Sequence, residues 1–274
     1  MNFSTVEIMS AVDANTCEGT LVTVSLADPQ LPVVTLQRAG ARNAINAVLA
    51  QQIEAVVTAV EADERVRAVI LTGDGDVFCA GADLREVADG RLDALFTEKG
   101  GFSGFVDAPR QKPWIAAVNG PALAGGFEIV LACDIVVACT NARFGLPEVT
   151  RGLIASAGGL HRLPRALPKA IAIEMILTGS PLTVERAHDF GLVNHVVERD
   201  ALLDTARAVA GRIASAAPLA VQESLVIAKL ATDFDDAALR ARGDAAQARL
   251  ADSADYGEGA RAFLEKRMPV WQGR

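Results

Sequence analysis

The thirty residues from 119 to 148 constrain the fold more than any other part of the chain. Residues 119–121, Asn-Gly-Pro, are predicted to form a turn, because proline continues neither a helix nor a central strand. Gly125 and Gly126 then permit a tight backbone path, and the apolar run after them contains one charged residue, Glu128. This pattern predicts a helix that begins at the glycine pair, with unpaired backbone N–H groups at the positive end of its dipole.

Two carboxylates in this stretch are candidates for acid–base chemistry. Glu128 lies three residues after Gly125, so both fall on one face of the helix, whose N-terminus suits a developing oxyanion. A β-branched run at residues 135–138 predicts a buried strand, which leads to Glu148 in a loop bounded by glycine and proline. A structural role stays open for both, because the dipole alone favours a first-turn glutamate and a loop glutamate is usually solvated. The apolar neighbours of Glu128 predict burial and a raised pKa.

The N-terminal part of the chain alternates strand and helix patterns. Residues 21–26 and 33–36 are predicted strands, and apolar residues repeat at helical spacing over 44–62, with Asn43 as a plausible N-cap. A buried strand at 68–72 completes a strand–helix–strand unit, which implies parallel pairing. The pattern therefore predicts an α/β fold.

The remaining segments are a glycine-rich stretch, a glycine pair and a helical C-terminal region. Residues 100–105, Gly-Gly-Phe-Ser-Gly-Phe, show no strong period and are interpreted as a mobile loop with an apolar face. Gly158 and Gly159 are predicted to pass close to another backbone. From residue 200 onward the pattern is helical. Helices are predicted at residues 200–214, 218–231 and 235–251.

Composition limits the classes of partner. The net charge of −8 argues against nucleic acid or an anionic membrane surface as a partner, and no apolar run approaches the length of a membrane span. The four cysteines and three histidines show no metal-binding spacing, so no metal site is predicted. Cys79, Cys133 and Cys139 lie in apolar runs and are predicted to be buried free thiols, which implies a reducing, cytoplasmic location.

Five segments of the chain resemble the crotonase, or enoyl-CoA hydratase/isomerase, superfamily. Together they run in family order from about residue 21 to residue 271. The resemblance implies a crotonase (Clp-protease-like) spiral fold of ββα repeats with a C-terminal helical trimerisation region. The segments are NGPALAGGFEIVLACDIVVA, RFGLPEVTRGLIASAGGLHRLPR, AVILTGDGDVFCAGADLREV, GSPLTVERAHDFGLVNHVV and RAFLEKRMPVW.

The resemblance also implies roles for four positions. The backbone N–H groups of Ala82 and Gly125 would form an oxyanion hole for a thioester oxygen. Glu128 and Glu148 would bind the catalytic water and exchange its proton with the substrate's α-carbon. Isomerases of the family often keep only one of these glutamates, so the pair favours an enoyl-CoA hydratase. Such an enzyme adds water syn to a 2-enoyl-CoA thioester to give a 3-hydroxyacyl-CoA, and needs no cofactor because coenzyme A is part of the substrate.

Further residues are expected to contact the substrate or coenzyme A. In the family, counterparts of Phe263 and Lys266 approach the adenine and phosphates, often from a neighbouring subunit, although a packing Phe and an exposed Lys are equally compatible with the sequence. Arg38 lies in a basic loop that is either a phosphate contact or simply solvated. The full predicted set is Arg38, Ala41, Ala80, Asp83, Leu84, Phe263 and Lys266.

Three regions and several alternatives follow from the resemblance. Residues 1–18 are predicted to be a disordered leader, 19–200 the spiral catalytic core, and 201–274 a helical region that assembles trimers or pairs of trimers. Residues 159–179 resemble carnitinyl-CoA dehydratases, so a dehydratase of that type is an alternative, as is an enoyl-CoA isomerase. A non-catalytic acyl-CoA-binding protein is the alternative from another class, and the presence of both glutamates argues against it.

Overall fold

The computed structural model describes residues 19–274, and the predicted leader at 1–18 lies outside these residues. Within them, eleven strands and ten α-helices alternate along the chain. The strands are β1 Val22–Ser25, β2 Val33–Leu36, β3 Val69–Gly73, β4 Phe96–Thr97, β5 Gly101–Phe102, β6 Trp114–Val118, β7 Ala122–Leu123, β8 Ile135–Cys139, β9 Arg143–Gly145, β10 Leu182–Thr183 and β11 His195–Val197. The helices are α1 Ala47–Ala62, α2 Leu84–Ala88, α3 Gly125–Ala132, α4 Gly159–Ala166, α5 Lys169–Thr178, α6 Val184–Asp189, α7 Leu202–Ala214, α8 Pro218–Lys229, α9 Asp236–Ala251 and α10 Glu258–Leu264.

A six-stranded sheet in the order β1-β2-β3-β6-β8-β11 forms the centre of the molecule. β1 and β2 pair antiparallel, whereas the remaining neighbours pair parallel. The predicted strand–helix–strand unit is confirmed, since α1 connects the parallel strands β2 and β3. Alternating residues face opposite sides of the sheet, and two apolar clusters cover those sides. Ile70 and Ile115 pack in the cluster that contains α7, while Leu71 and Ala116 belong to the larger cluster that contains α1.

The turns after β3 and β6 are tied together, and this brings two later segments side by side. Asn119 accepts a hydrogen bond from the Gly73 N–H at 3.2 Å and donates one to the Gly75 carbonyl at 2.7 Å. Beyond this tie, Cys79 and Ala122 form a parallel bridge. The segment after β3 therefore runs beside the segment that leads into α3.

The prediction that Asn43 is the N-cap is wrong, because its side chain binds a distant turn instead. Helix α1 begins at Ala47, where Asn46 accepts a hydrogen bond from the Leu49 N–H at 2.9 Å. Asn43 is fully buried, and its side-chain amide donates to three carbonyls of the turn after β3. From the neighbouring residues alone, an asparagine that binds a distant turn cannot be distinguished from one that caps a helix. The three carbonyls belong to Asp74, Val77 and Phe78.

The glycine-rich segment at 100–105 does not present an apolar face to solvent, contrary to the sequence-based expectation. Strands β4 and β5 form a short hairpin, and both Phe102 and Phe105 are buried. The Phe105 ring packs edge-to-face against Trp114 with centroids 5.0 Å apart. The apolar residues of this segment therefore belong to the main core.

The C-terminal helices form where the sequence predicted them, as α7, α8 and α9. Arg249 on α9 makes a bidentate ion pair with Glu223 on α8, at 2.8 and 2.7 Å. The final segment, 263–270, carries four strongly exposed apolar side chains. No helix within residues 19–274 has the length and apolarity needed to cross a membrane. The exposed side chains are Phe263, Leu264, Met268 and Val270.

Candidate active site

Glu128 lies in the first turn of α3, as predicted, and its side chain is buried. Its Oε1 accepts a hydrogen bond from the backbone N–H of Gly159 at 2.9 Å, at the start of α4. The pKa of Glu128 is raised to about 7: burial and the charge of Glu148 raise it, whereas the N–H groups of Gly159 and Ala157 and the charge of Arg162 act in the opposite direction. This carboxyl group is therefore close to half-protonated at neutral pH.

Glu148 is the second buried carboxyl group of the site. It lies in a 3-10 helix, Pro147–Arg151, rather than in the loop that the glycine and proline pattern predicted. Burial raises the pKa of Glu148, and its Oε2 has no hydrogen-bond partner in the part of the chain that the structure describes. The charge of Glu148 contributes to the raised pKa of Glu128, so the two carboxyl groups lie near each other in one buried region.

The backbone N–H groups of Ala82 and Gly125 are both unpaired within residues 19–274. Gly125 is the first residue of α3, so its N–H lies among the helix donors that have no intrahelical partner. Ala82 bridges Ile45 through its flanking peptide groups, which leaves its own N–H free. Ala124, which precedes α3, has φ 52° and ψ −131°, an unusual conformation for a residue with a Cβ.

Glycines allow the Ala82 segment and the start of α3 to approach each other closely. A Cβ added to Gly81, which has φ +93°, would lie 2.9 Å from the Gly125 nitrogen. A Cβ added to Gly126 would lie 2.1 Å from the Cys79 carbonyl oxygen. A side chain at either position would push the two segments apart, so the juxtaposition of the two free N–H groups depends on both glycines.

Cys79 is buried at this contact, and its thiol is unreactive. Its thiol donates a hydrogen bond to the Asn43 carbonyl at 3.0 Å, and burial raises its pKa to about 12. Cys79, Cys133 and Cys139 are free cysteines, as the sequence predicted; Cys79 and Cys139 are buried, whereas Cys133 is only partly buried.

Phe102 is a residue of the site that the sequence did not single out. A Cβ on Gly125 would lie 2.4 Å from the edge of the Phe102 ring, so this ring covers the start of α3. Phe96, which is partly exposed, packs edge-to-face on Phe102 with centroids 5.6 Å apart. The only sequence signal was a pair of phenylalanines among glycines, which does not indicate what the rings contact.

Arg38 and Asp83, both predicted to contact the substrate, bind each other. An Nη1 of Arg38 lies 2.7 Å from an Asp83 carboxylate oxygen and donates to the Ala44 carbonyl at 2.8 Å. Burial acts to raise the pKa of Asp83, but the Arg85 N–H and the Arg38 guanidinium outweigh it and lower the pKa. The ion pair joins the 38–42 loop to the segment that carries Ala82.

The structure places the other predicted contacts in two groups. Ala41 ends the 3-10 helix Ala39–Ala41, Ala80 donates its N–H to the Arg42 carbonyl at 3.0 Å, and Leu84 is the exposed first residue of α2. These three therefore lie around the Arg38–Asp83 pair. Phe263 is 83% exposed on α10, and no hydrogen bond or ion pair within residues 19–274 links it or Lys266 to that group.

No group of three or more His, Cys, Asp or Glu side chains within residues 19–274 is arranged to hold a metal ion. The described site presents two buried carboxyl groups and two free backbone donors.

Comparison with known proteins identifies the family. Residues 28–274 match the family described as enoyl-CoA hydratase/isomerase. The chain belongs to this family. Members of the enoyl-CoA hydratase/isomerase family that resemble the chain include a mevalonyl-coenzyme A hydratase of Aspergillus fumigatus, 40% identical over 96% of this chain and 98% of that protein. A carnitinyl-CoA dehydratase of Citrobacter koseri is 39% identical over 88% of this chain and 94% of its own length.

Solved structures of enoyl-CoA hydratases confirm the crotonase fold. An enoyl-CoA hydratase from Mycobacterium tuberculosis superposes with a TM-score of 0.88, at 41% identity over 93% of this chain and 99% of that one. One from Bacillus anthracis gives a TM-score of 0.85 at 32% identity, over 93% of this chain and 100% of that one. The protein is a crotonase-type acyl-CoA enzyme of the lyase kind.

The raised pKa of Glu128 predicts a pH-dependent effect of Glu128→Gln on stability. Between the ordinary value of 4.5 and about 7, the folded state keeps a proton that the unfolded state has lost, so wild-type stability falls as pH rises through this window. The glutamine variant does not lose stability in this way, and its side-chain carbonyl can still accept a hydrogen bond from the Gly159 N–H. Urea unfolding should therefore show the variant gaining about 3 kcal/mol on the wild type between pH 4 and pH 8.

Glu223→Gln is the control of opposite sign. The hydrogen bond and charge of Arg249 lower the pKa of Glu223, so this glutamate stabilises the folded state above its ordinary pKa and loses that contribution as pH falls. The control variant should lose stability relative to the wild type as pH rises. A pH-independent difference for Glu128→Gln would contradict the buried, protonated carboxyl group described above.

Proposed function

We propose that the protein is an enoyl-CoA hydratase that adds water syn to a 2-enoyl-CoA thioester and forms a 3-hydroxyacyl-CoA. The observation that carries this proposal is the pair of buried carboxyl groups, Glu128 and Glu148, in a chain whose free N–H groups at Ala82 and Gly125 lie on adjoining segments. Membership of the enoyl-CoA hydratase/isomerase family supports it.

The two backbone donors would stabilise the charge that water addition creates. Attack at the β-carbon moves negative charge to the thioester oxygen, and each preorganised donor in such a site contributes about 2.7–4 kcal/mol to transition-state stabilisation. The N–H of Gly125 adds the positive end of the α3 dipole to this effect. The donors cost little reorganisation, because backbone geometry fixes both of them.

The two carboxyl groups would supply the base and the acid. One must accept a proton from water while the other delivers a proton to the α-carbon, and both must be near their working protonation state at neutral pH. The pKa of Glu128 near 7 meets this requirement, and the unpaired Oε2 of Glu148 is free to accept a hydrogen bond from water. This scheme uses no cofactor apart from the coenzyme A of the substrate.

A dehydratase acting on a hydroxyacyl-CoA is the second candidate. The same two carboxyl groups catalyse elimination when the reaction runs backwards. One relative supports this candidate, since it is named a carnitinyl-CoA dehydratase, whereas another, from Escherichia coli and 38% identical, is named a 2,3-dehydroadipyl-CoA hydratase. Three relatives carry the names of three different acyl groups, so a panel of enoyl-CoA and hydroxyacyl-CoA substrates is the decisive assay.

We expect Glu128→Gln and Glu148→Gln each to lower the rate of water addition by about 100- to 10,000-fold, because each removes one proton carrier. The measurement is loss of enoyl absorbance with crotonyl-CoA and longer 2-enoyl-CoA substrates. The exposed Glu98→Gln serves as a control that should keep full activity.

Other outcomes of this assay separate the alternatives. A severe loss in only one glutamine variant favours isomerase chemistry. No wild-type turnover on any 2-enoyl-CoA or hydroxyacyl-CoA overturns the proposal. Tight acyl-CoA binding by calorimetry without turnover would instead support a binding protein.

Gly126→Ala tests the two backbone donors without touching a carboxyl group. The new Cβ would collide with the Cys79 carbonyl and displace the Ala82 segment from α3. We expect kcat to fall by about 100-fold, as when one oxyanion-hole donor is lost. Gly211→Ala on α7, where nothing lies within 4 Å of an added Cβ, should leave kcat unchanged. Full activity of Gly126→Ala would contradict the role of this contact.

We also propose that the chain self-associates through residues 201–274, as a trimer or a pair of trimers, in the cytoplasm. The four exposed apolar side chains at 263–270 support this, because such a concentration favours an interface. Sedimentation equilibrium should give a trimer or hexamer mass, and Leu264→Asp with Met268→Asp should shift the protein to smaller species. A monomer at micromolar concentration would refute self-association.

A further inference from the structure

The glycine pair at 158–159 lies between two charged side chains. An added Cβ on Gly159 would lie 3.1 Å from Glu128 Oε1, and one on Gly158 would lie 2.0 Å from Nη1 of Arg162. The pair therefore approaches side chains rather than another backbone, which corrects the sequence-based expectation. Gly158 has φ +113°, a conformation that favours glycine, so both the backbone and the guanidinium require glycine there.

Arg162 connects two loops through its planar guanidinium. Its Nη1 donates to the Ala157 carbonyl at 3.0 Å, and its Nη2 donates to the Val106 carbonyl at 2.8 Å. A carboxylate oxygen of Asp107 lies 3.4 Å from the same Nη2. Two parallel donors on one rigid group fix the distance between the two loops.

Each of these loops supports a different part of the candidate active site. The N–H of Ala157, whose carbonyl Arg162 binds, helps to stabilise the Glu128 carboxylate. The Val106 loop is continuous with Phe102, whose ring lies against Gly125 at the start of α3. Arg162 therefore links the loop whose Ala157 N–H stabilises Glu128 to the loop whose Phe102 ring lies against Gly125.

We propose that Arg162 is a positioning residue for this reaction, which holds the Glu128 carboxyl group at a fixed place relative to the Gly125 N–H and keeps a positive charge beside it. This inference rests on the proposed function. Arg162 itself touches carbonyl groups of the protein rather than the reacting atoms, so it acts through Glu128 and Phe102.

The charges around the pair define the expected pH effect. Glu128 faces Glu148 from the 3-10 helix and Arg162 from α4, Glu148 faces Arg151, and Arg162 faces Asp107. The guanidinium of Arg162 lowers the pKa of Glu128, so its removal should move the titration of Glu128 to higher pH. The direction is the same whichever protonation state is the productive one.

Three variants distinguish the effect of the Arg162 charge from the effect of its hydrogen-bond geometry. Arg162→Met should lower kcat by about tenfold or more and move the midpoint of the kcat/KM pH profile upward. Arg162→Lys keeps the charge but not the two-pronged geometry, so kcat should fall while the midpoint stays at the wild-type value. Arg165→Met, one turn away on α4 and paired with Asp233, is the matched control and should change neither.

A second measurement distinguishes failure of this inference from failure of the proposed function. The infrared band of the protonated carboxyl group that Glu128→Gln abolishes reports the titration of Glu128 without turnover. If the wild type hydrates no substrate, the proposed function fails, and the infrared midpoint of Arg162→Met still decides the charge effect. An unchanged midpoint in Arg162→Met overturns the inference. If that variant does not fold, wild-type kcat in Arg162→Lys overturns it, and a reduced kcat with an unchanged midpoint supports it.

Discussion

The site depends on one buried carboxyl group that is bound by the backbone at the start of a helix. Burial of Glu128 disfavours its charged form, and the N–H groups of Gly159 and Ala157 partly offset that penalty. The balance leaves the group neither fully ionised nor fully neutral near pH 7. Because Gly159 is the first residue of a different helix, its hydrogen bond to Glu128 fixes α3 against α4. The proposed acid–base chemistry and the packing of these two helices therefore depend on one contact.

Close contact between two backbone segments positions the two free N–H groups of the site. Gly81 and Gly126 let the segment after β3 lie against the start of α3, and the Asn119 side chain ties the turns that lead to both. Ala124 contributes the least relaxed conformation at this contact, with φ 52° and ψ −131°. Such conformations persist where the surrounding structure determines them and tend to occur at functional sites. The backbone strain and the free N–H of Gly125 thus occur at adjacent residues.

Local sequence signals were sufficient for the helix that carries Glu128, but not for the 3-10 helix that carries Glu148, which the sequence predicted as a loop. A glycine pair followed by an apolar run predicted the start of α3, and the position of Glu128 in its first turn followed from spacing alone. Long-range contacts gave no such signal. Asn43 bonds to carbonyls more than thirty residues away, and Arg162 bonds to Val106 across 56 positions. Neither partner can be found from neighbouring residues, and the same holds for the ring of Phe102 against Gly125.

The thiol of Cys79 has a consequence for chemical resilience. It lies where the two segments of the site meet, yet it is fully covered, bonded to a carbonyl, and has a pKa of about 12. Electrophiles and peroxides attack thiolates rather than thiols, and they need access to the sulfur. At this position the sulfur should therefore resist alkylation and oxidation, because it is as inaccessible to solvent as the aliphatic side chains of the core.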